Sequence, residues 1–139
     1  MVPVVVDTNL FVAAGFNPRS AAARVLSAVR AGTVRLVWDD PTRQETEHVV
    51  RNIPPLAGTD LSDLFRLEDR YHGPTHPDEF DHVPHPADRK FAALAAATGA
   101  VLLTNDRHLL AGRPHPGVAV LTPSEFADRL GWGGGVRPG

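Results

Sequence analysis

The sequence predicts an α/β fold built on a parallel central sheet. Short apolar runs of strand length alternate along the chain with longer segments of helical periodicity. The apolar runs are continuous rather than alternating with polar residues, which is typical of strands that are buried on both faces. Strands that alternate with helices form parallel sheets whose two faces are both covered. We therefore expect one sheet with helices on each side.

The N-terminal segment predicts a strand followed by helices. Residues 4–6 form a short apolar run that ends at Asp7, and the apolar residues 10–14 can open a helix. Ser20 is a suitable N-cap for a helix over 21–31, because its hydroxyl can accept a hydrogen bond from the first turn, and Gly32 provides the C-terminal stop.

Residues 34–38 predict a second strand. Asp39 or Asp40 then caps a helix with Pro41 at its first position, where a missing N–H costs nothing. We expect this helix to run to about Arg51, because the prolines at 54–55 prevent its continuation.

The middle of the chain predicts one more helix and a long loop. Residues 60–70 read as an amphipathic helix, and His72 to Pro86 as a loop rich in Pro, His and Asp. A loop of this length within a small domain is more often functional than idle. The predicted apolar stripe of the helix consists of Leu61, Leu64, Phe65 and Leu67.

The C-terminal part completes the alternation. We predict that residues 1–130 form one folded domain and that the Gly-rich residues 131–139 form a flexible tail. In order, the predicted elements are a helix over 87–98 opened by Pro86 and ended by Gly99, a strand over 101–104, a short helix through Leu109 and Leu110, a strand over 117–121 and a helix over 124–130.

Composition excludes several classes of protein. The chain has 139 residues, 42% hydrophobic and 22% charged, and contains no run approaching a membrane span. The absence of cysteine excludes disulfides and thiolate zinc sites, and together with the lack of a signal-like N-terminus it predicts a cytoplasmic protein. The net charge of -2 does not indicate a nucleic-acid-binding protein. All 14 cationic residues except Lys90 are Arg, however, and Arg can bind phosphate with two parallel hydrogen bonds.

Four carboxylates occupy corresponding points of this pattern. Asp7 and Asp106 end predicted strands. Glu45 lies one turn into the helix after the second strand, and Asp88 lies in the first turn of the helix before the third. In a parallel sheet all four can face one edge, where their mutual repulsion raises their pKa values and a divalent cation would relieve it.

Each acid also has a structural interpretation. Asp7 and Asp106 can form turns or helix caps, Asp88 can complement a helix dipole, and Glu45 can be a solvated helix residue, as we expect of Glu47. Taken singly, only Asp7 favours a functional site. Taken together, four acids would have to lie at one edge of the sheet for four unrelated structural reasons. We therefore favour a metal site.

These residues resemble the PIN-domain family of metal-dependent ribonucleases, in particular its VapC-type toxins. The resemblance spans residues 2–130 and is strongest in the motifs ending at the two strand-terminal aspartates. The motifs are Val5-Val6-Asp7-Thr8-Asn9, Glu45 with Val49-Val50, Asp88-Arg89-Lys90-Phe91 with Ala93-Leu94-Ala95, Leu103-Thr104-Asn105-Asp106-Arg107-His108-Leu109-Leu110, and Val118 with Val120-Leu121-Thr122-Pro123-Ser124-Glu125-Phe126.

The resemblance implies a three-layer α/β/α sandwich that binds Mg²⁺ or Mn²⁺ and cleaves RNA. Asp7, Asp88 and Asp106 would be the metal-site aspartates, and Glu45 the matching catalytic acid on a helix. An antitoxin protein and a second copy of the chain are the partners that it suggests. The residues expected to orient the carboxylates are Asn9, Thr104 and Asn105, and Thr8 is expected either to orient them or to bind the metal directly.

RNA binding also requires cations near the acids. The candidates for phosphate contacts are adjacent in sequence to the acidic residues, although surface solubility or local ion pairing explains them equally well. They are Arg43, Arg89, Lys90 and Arg107. The histidines at 72, 76, 82 and 85 match no zinc pattern, so we predict a solvated loop for them.

Two other functions are compatible with parts of the pattern. An aspartyl phosphatase or phosphotransferase would use a strand-terminal Asp as the nucleophile, but the haloacid dehalogenase type needs a second Asp where this chain has Asn9. A receiver domain needs a Lys after a late strand, whereas Lys90 precedes it. A non-catalytic RNA-binding or protein-interaction module with the same fold is the third alternative, and retention of all four acids argues against it.

Overall fold

The computed structural model of the protein describes residues 2–113, 115 and 117–132. Within this part of the chain, four parallel strands form one sheet in the order β2-β1-β3-β4. Val6 at the end of β1 lies opposite Leu103 at the end of β3, so the two central strands finish at the same level. The predicted parallel sheet is confirmed. Its strands are β1 (Val2–Val6), β2 (Val34–Leu36), β3 (Val101–Leu103) and β4 (Val120–Leu121).

Helices cover both faces of this sheet. The described residues form six α-helices, and three short 3-10 turns lie between α3 and α4. The helices are α1 (Thr8–Phe16), α2 (Ala21–Ala31), α3 (Asp40–Arg51), α4 (Pro86–Thr98), α5 (Arg107–Ala111) and α6 (Pro123–Arg129). The 3-10 turns are Pro54–Leu56, Leu67–Asp69 and Pro77–Phe80.

Alternate residues of β1 belong to two separate hydrophobic cores. Val4 and Val6 pack in a core with residues of α1, α2 and α6, among them Leu10. Val5 packs in the other core with residues of α4 and α5, including Phe91. Because successive side chains of a strand point to opposite faces, these cores are the two interfaces of a three-layer α/β/α sandwich. The predicted fold class is therefore confirmed.

The helix ends follow the capping chemistry expected from the sequence. The Ser20 hydroxyl accepts a hydrogen bond from the Ala23 amide at 3.1 Å, and Gly32 ends α2 with a φ of 82°. Asp39 caps α3, which starts at Asp40, so Pro41 is the second helical residue rather than the first. The shift is tolerated because the second N–H of a helix also lacks an intrahelical partner.

The helix predicted over 60–70 is wrong. The segment consists of turns followed by the 3-10 turn Leu67–Asp69, and Leu67 is 76% exposed rather than part of a buried stripe. An Asx-type bond from the Ser62 amide to Asp60 Oδ1 and a bond from Trp38 Nε1 to the Arg66 carbonyl hold the backbone in turns. Leu61, Leu64 and Phe65 are buried nonetheless, so their apolar character reflected the core and not a helix.

The remaining boundaries differ by a few residues. The second strand ends at Leu36, and Trp38 instead forms a single parallel bridge to Arg70. The last strand is shorter than the predicted 117–121, because Val118 forms an antiparallel bridge to His115. The loop before α4 is anchored by Phe80 and Val83, which are 6% and 1% exposed.

The end of the described chain still packs on the domain. Trp132 contacts Phe126 edge-on, with ring centroids 5.8 Å apart. The rest of the predicted tail, residues 133–139, lies outside the described residues. None of the helices in the described part of the chain is long and apolar enough to cross a membrane.

Candidate active site

The site predicted from the sequence lies at the carboxyl ends of β1 and β3. The chain passes from β1 to β2 on one side, whereas β3 adjoins β1 on the other side. In parallel sheets a crevice forms where successive connections diverge in this way, and ligands bind there. The Asp7 amide extends the ladder by donating to the Leu103 carbonyl at 3.0 Å, which places Asp7 beside Thr104.

Asp7 is a buried carboxylate that is held by a side chain of the neighbouring strand end. Its exposure is 3%, and Oδ2 accepts a hydrogen bond of 2.7 Å from the hydroxyl of Thr104, which is fully buried. Asp7 occupies the N-cap position of α1, yet its side chain makes no capping hydrogen bond. The Asn9 amide in the first turn of α1 lowers the pKa of Asp7 less than the Thr104 hydroxyl does, so Thr104 and not helix capping is the main polar partner of this acid.

The environment of Asp7 disfavours its charge. Burial, partly opposed by the Thr104 hydrogen bond, raises the pKa of Asp7 from 3.8 to about 6, and repulsion from Asp88 and Asp106 contributes. The shift corresponds to roughly 3 kcal/mol of unfavourable free energy in the ionised form. A buried acid destabilised in this way is typical of functional sites.

Asp106 serves both as a helix cap and as a neighbour of Asp7. Its Oδ1 accepts a 2.7 Å hydrogen bond from the His108 amide and so caps α5. The Asp106 amide donates to the Thr104 hydroxyl at 2.9 Å. Thr104 thus connects the two strand-terminal aspartates directly, donating to one and accepting from the backbone of the other.

Asp88 is half-buried in the first turn of α4 and is surrounded by charges. Burial and then repulsion from Asp106 raise its pKa, to which Glu45 also contributes, whereas His85 and His108 lower it. The two imidazoles lie edge-to-face with centroids 5.2 Å apart. The sequence reasoning missed both as neighbours of the site, although His85 precedes Pro86 at the start of the Asp88 helix and His108 follows Asp106 by two residues.

The structure brings Glu45 rather than Glu47 to the acids. Glu45 Oε1 lies 2.6 Å from Lys90 Nζ on α4, and Oε2 accepts a long hydrogen bond of 3.4 Å from Thr8. Glu47 is turned away and pairs with Arg43 at 3.3 Å. The ion pair between Glu45 and Lys90 was not foreseen, since 45 residues separate the partners in sequence.

The residues predicted to orient the carboxylates fall into two groups. Thr8 and Thr104 are buried and bonded to Glu45 and Asp7 respectively. Thr8 also shares a 3.0 Å hydrogen bond with Thr46, a residue that the sequence reasoning missed. Asn9 and Asn105 are exposed at the same edge, and their roles stay predictions.

Three of the four predicted phosphate contacts are engaged within the protein. The Arg43 guanidinium lies 5.0 Å from the ring centroids of both Trp38 and Phe65. Arg89 donates to two backbone carbonyls of the preceding loop, and Lys90 pairs with Glu45. Arg107 is exposed at the start of α5 and has no ion pair with any other described residue.

The donors at this edge match a hard divalent cation. The nearby acids are three aspartates and one glutamate, and Mg²⁺ and Mn²⁺ prefer such oxygen ligands. Among the described residues, however, no three His, Asp or Glu side chains are spaced to hold a metal ion as they stand. The donor chemistry fits the cation, but the carboxylates do not form a preassembled cage.

The fold and the arrangement at its edge define a PIN domain, a class whose members are generally nucleases that use divalent metals. A family model described as "PIN domain" matches residues 3–108, which include all four acids. The chain belongs to the PIN-domain family. No curated protein and no solved structure shows significant similarity to it.

Proposed function

We propose that the protein is a metal-dependent endoribonuclease whose active site consists of Asp7, Glu45, Asp88 and Asp106. The observation that supports this most strongly is the raised pKa of Asp7, which is caused mainly by burial and further by repulsion from Asp88 and Asp106. A cluster of acids whose charges are only partly compensated gains stability when it binds a cation at a strand switch point.

The proposed reaction is hydrolysis of an RNA phosphodiester. Asp7, Asp88 and Asp106 would hold Mg²⁺ or Mn²⁺, with Thr104 fixing one oxygen of Asp7 and Thr8 contacting Glu45. When bound, the cation would lower the pKa of an attacking water and stabilise the charge that develops on the phosphate. Arg107, exposed beside Asp106, is the residue best placed to contact the RNA backbone.

Cleavage of a labelled single-stranded RNA tests this function. We expect cleavage with millimolar Mg²⁺ or Mn²⁺ and none with a chelator, giving fragments with 3′-hydroxyl and 5′-phosphate ends. An Asp7→Asn variant purified in parallel controls for contaminating nucleases. Metal should also raise the melting temperature of the wild type, because it binds only the folded state. Metal-independent cleavage, or no cleavage with either ion, would refute the proposal.

A biological role as the toxin of a toxin–antitoxin pair follows from the same activity. We propose that a small antitoxin protein, encoded beside this chain, binds the domain and blocks cleavage in the cytoplasm, and that the domain also pairs with a second copy of itself. Expression of the wild type without that neighbour should arrest growth, whereas Asp7→Asn should not. Equal growth of the two strains would refute the toxin role. It would not bear on the nuclease activity, which the RNA cleavage assay tests.

A non-catalytic PIN-fold module that binds RNA or protein is the second candidate. Two observations favour it: the described side chains form no ready metal cage, and Glu45 is already paired with Lys90. A melting temperature that does not change with metal, combined with RNA binding that needs no metal, would favour this function over the nuclease.

A further inference from the structure

Lys90 is the cation in closest contact with the acidic cluster. Its Nζ lies 2.6 Å from Glu45 Oε1, and this is the one salt bridge among the described residues that involves any of the four acids. The two side chains are 30% and 21% exposed. The pair therefore sits at the partly shielded edge of the site and not on the open surface.

Both carboxylate oxygens of Glu45 are engaged in this arrangement. Oε1 pairs with Lys90, and Oε2 accepts from the Thr8 hydroxyl at 3.4 Å. Because that hydroxyl has one proton, its bond with Thr46 must then be donated by Thr46. Thr8 of α1 and Lys90 of α4 thus contact Glu45 directly, and Thr46 supports Thr8.

The same ion pair neutralises part of the charge of the site. Glu45 is one of the acids whose charge raises the pKa of Asp88. A positive charge 2.6 Å from Glu45 offsets that repulsion in the absence of metal. A divalent cation at the aspartates would offset the same repulsion, so the two cations compete for one cluster of negative charge.

We propose that Lys90 is a positioning residue that acts through Glu45, occupying this acid in the metal-free protein and opposing the entry of the divalent cation. The proposal rests on the proposed metal site. It accounts for Glu45, the one acid of the four that has a salt bridge among the described residues. It also assigns Lys90 a role other than the phosphate contact predicted from its sequence position.

Calorimetric titration with Mn²⁺ alone tests the proposal. Lys90→Met removes the charge but keeps an unbranched stem and a good helix former, and Lys90→Arg keeps the charge. We expect Lys90→Met to bind Mn²⁺ about fivefold more tightly than the wild type, the size expected for a partly exposed ion pair. Lys90→Arg should bind like the wild type.

A double-mutant comparison tests whether Lys90 acts through Glu45. In a Glu45→Gln background, Lys90→Met should change the Mn²⁺ affinity less than twofold, because the partner of the ion pair is already neutral. A gain of the same size in both backgrounds would mean that Lys90 acts by its general field, which would overturn the proposal.

Melting temperatures separate this role from a structural tie between α3 and α4. Lys90→Met should melt below the wild type without metal, and the difference should vanish with saturating Mn²⁺. An equal difference under both conditions, with unchanged Mn²⁺ affinity, would make the ion pair merely structural. Absence of Mn²⁺ binding in every variant would refute the metal site and this proposal together, whereas binding that is equal in wild type and Lys90→Met would refute this proposal alone.

Discussion

Asp7 directly follows the parallel strand β1 and Asp39 comes three residues after the end of β2, but their carboxylates have different partners. Both occupy the N-cap position of a helix with extended backbone, and their exposures are 3% and 8%. Asp39 Oδ1 accepts from the Thr42 amide at 3.0 Å and from its hydroxyl at 2.8 Å, within a reciprocal capping box. The Asp7 side chain makes no capping hydrogen bond to α1 and accepts one from Thr104, the residue after β3.

The two buried acids differ in the neighbours that surround their carboxylates. Asp39 is stabilised by local donors within its own helix. Asp7 lies at the central switch point, where Asp88 and Asp106 add repulsion and burial raises its pKa. The Asp39 carboxylate is hydrogen-bonded within its own helix cap, whereas the Asp7 carboxylate makes no such bond.

Asp7→Asn should have the largest effect, and in opposite directions on activity and stability. We expect cleavage to fall by on the order of a thousandfold, because a proposed metal ligand is lost. The metal-free protein should gain about 3 kcal/mol at pH 8, because the neutral amide keeps an acceptor for Thr104 and removes a disfavoured charge. Activity assays and urea unfolding measure the two changes, and a loss of metal-free stability would make Asp7 a structural residue.

The pH dependence of stability follows from the sign of the Asp7 shift. Its folded pKa of about 6 exceeds the ordinary value of 3.8, so the folded state binds more protons between these values. The contribution of Asp7 protonation to the free energy of unfolding is therefore complete below pH 3.8, and it is lost as the pH rises through about 6. Urea unfolding from pH 4 to 8 should show this decline in the wild type and a smaller one in Asp7→Asn; parallel curves would contradict it.

Thr104→Val should cost about 2 kcal/mol, since the buried carboxylate of Asp7 loses its hydroxyl donor. The loss should be larger at pH 8 than at pH 4, because the hydrogen bond favours the ionised form of Asp7. Thr104→Ser keeps the hydroxyl and is the matched control. Equal stability of the two variants in urea unfolding would show that the hydroxyl does not hold Asp7.

The sequence was sufficient to predict the sheet and the acids that end its central strands. Continuous apolar runs such as 4–6 and 101–103 are local signals, and the acids that follow them can be read from the chain, Asp7 directly after the first run and Asp106 three residues after the second. The segment 60–70 failed because its apolar residues serve the core from turns that Trp38 stabilises across the sequence. No local pattern could reveal this.

The side-chain contacts within the site were the hardest feature to predict from the sequence, because they too depend on tertiary structure. The pairing of Lys90 with Glu45 and the bond from Thr104 to Asp7 join residues that are distant in sequence. Arg43 appeared to be a phosphate contact because it is near Glu45 in the chain, yet its guanidinium lies against Trp38 and Phe65. Neighbours along a helix point in different directions, so adjacency alone does not establish a shared site.

Glu45→Gln and Glu47→Gln should separate the two acids of α3. We expect the first to lower cleavage about tenfold, in the range seen for residues that support metal ligands. The second should stay within about twofold, because Glu47 pairs with Arg43 near the protein surface. Cleavage rates at saturating Mg²⁺ provide the measurement. The reverse order would assign the site to Glu47.

Asp39→Ala should have the smallest effect and completes the contrast with Asp7. Removing the cap of α3 should cost about 1 kcal/mol in urea unfolding, whereas Asp39→Asn, which keeps a good capping residue, should cost less. Neither variant should change the cleavage rate more than about twofold, because the Asp39 carboxylate is hydrogen-bonded to Thr42. If Asp39→Ala instead abolished cleavage while the fold remained intact, Asp39 would belong to the active site. Burial after a parallel strand, and not the presence of neighbouring acids, would then be the property that distinguishes a functional aspartate in this protein.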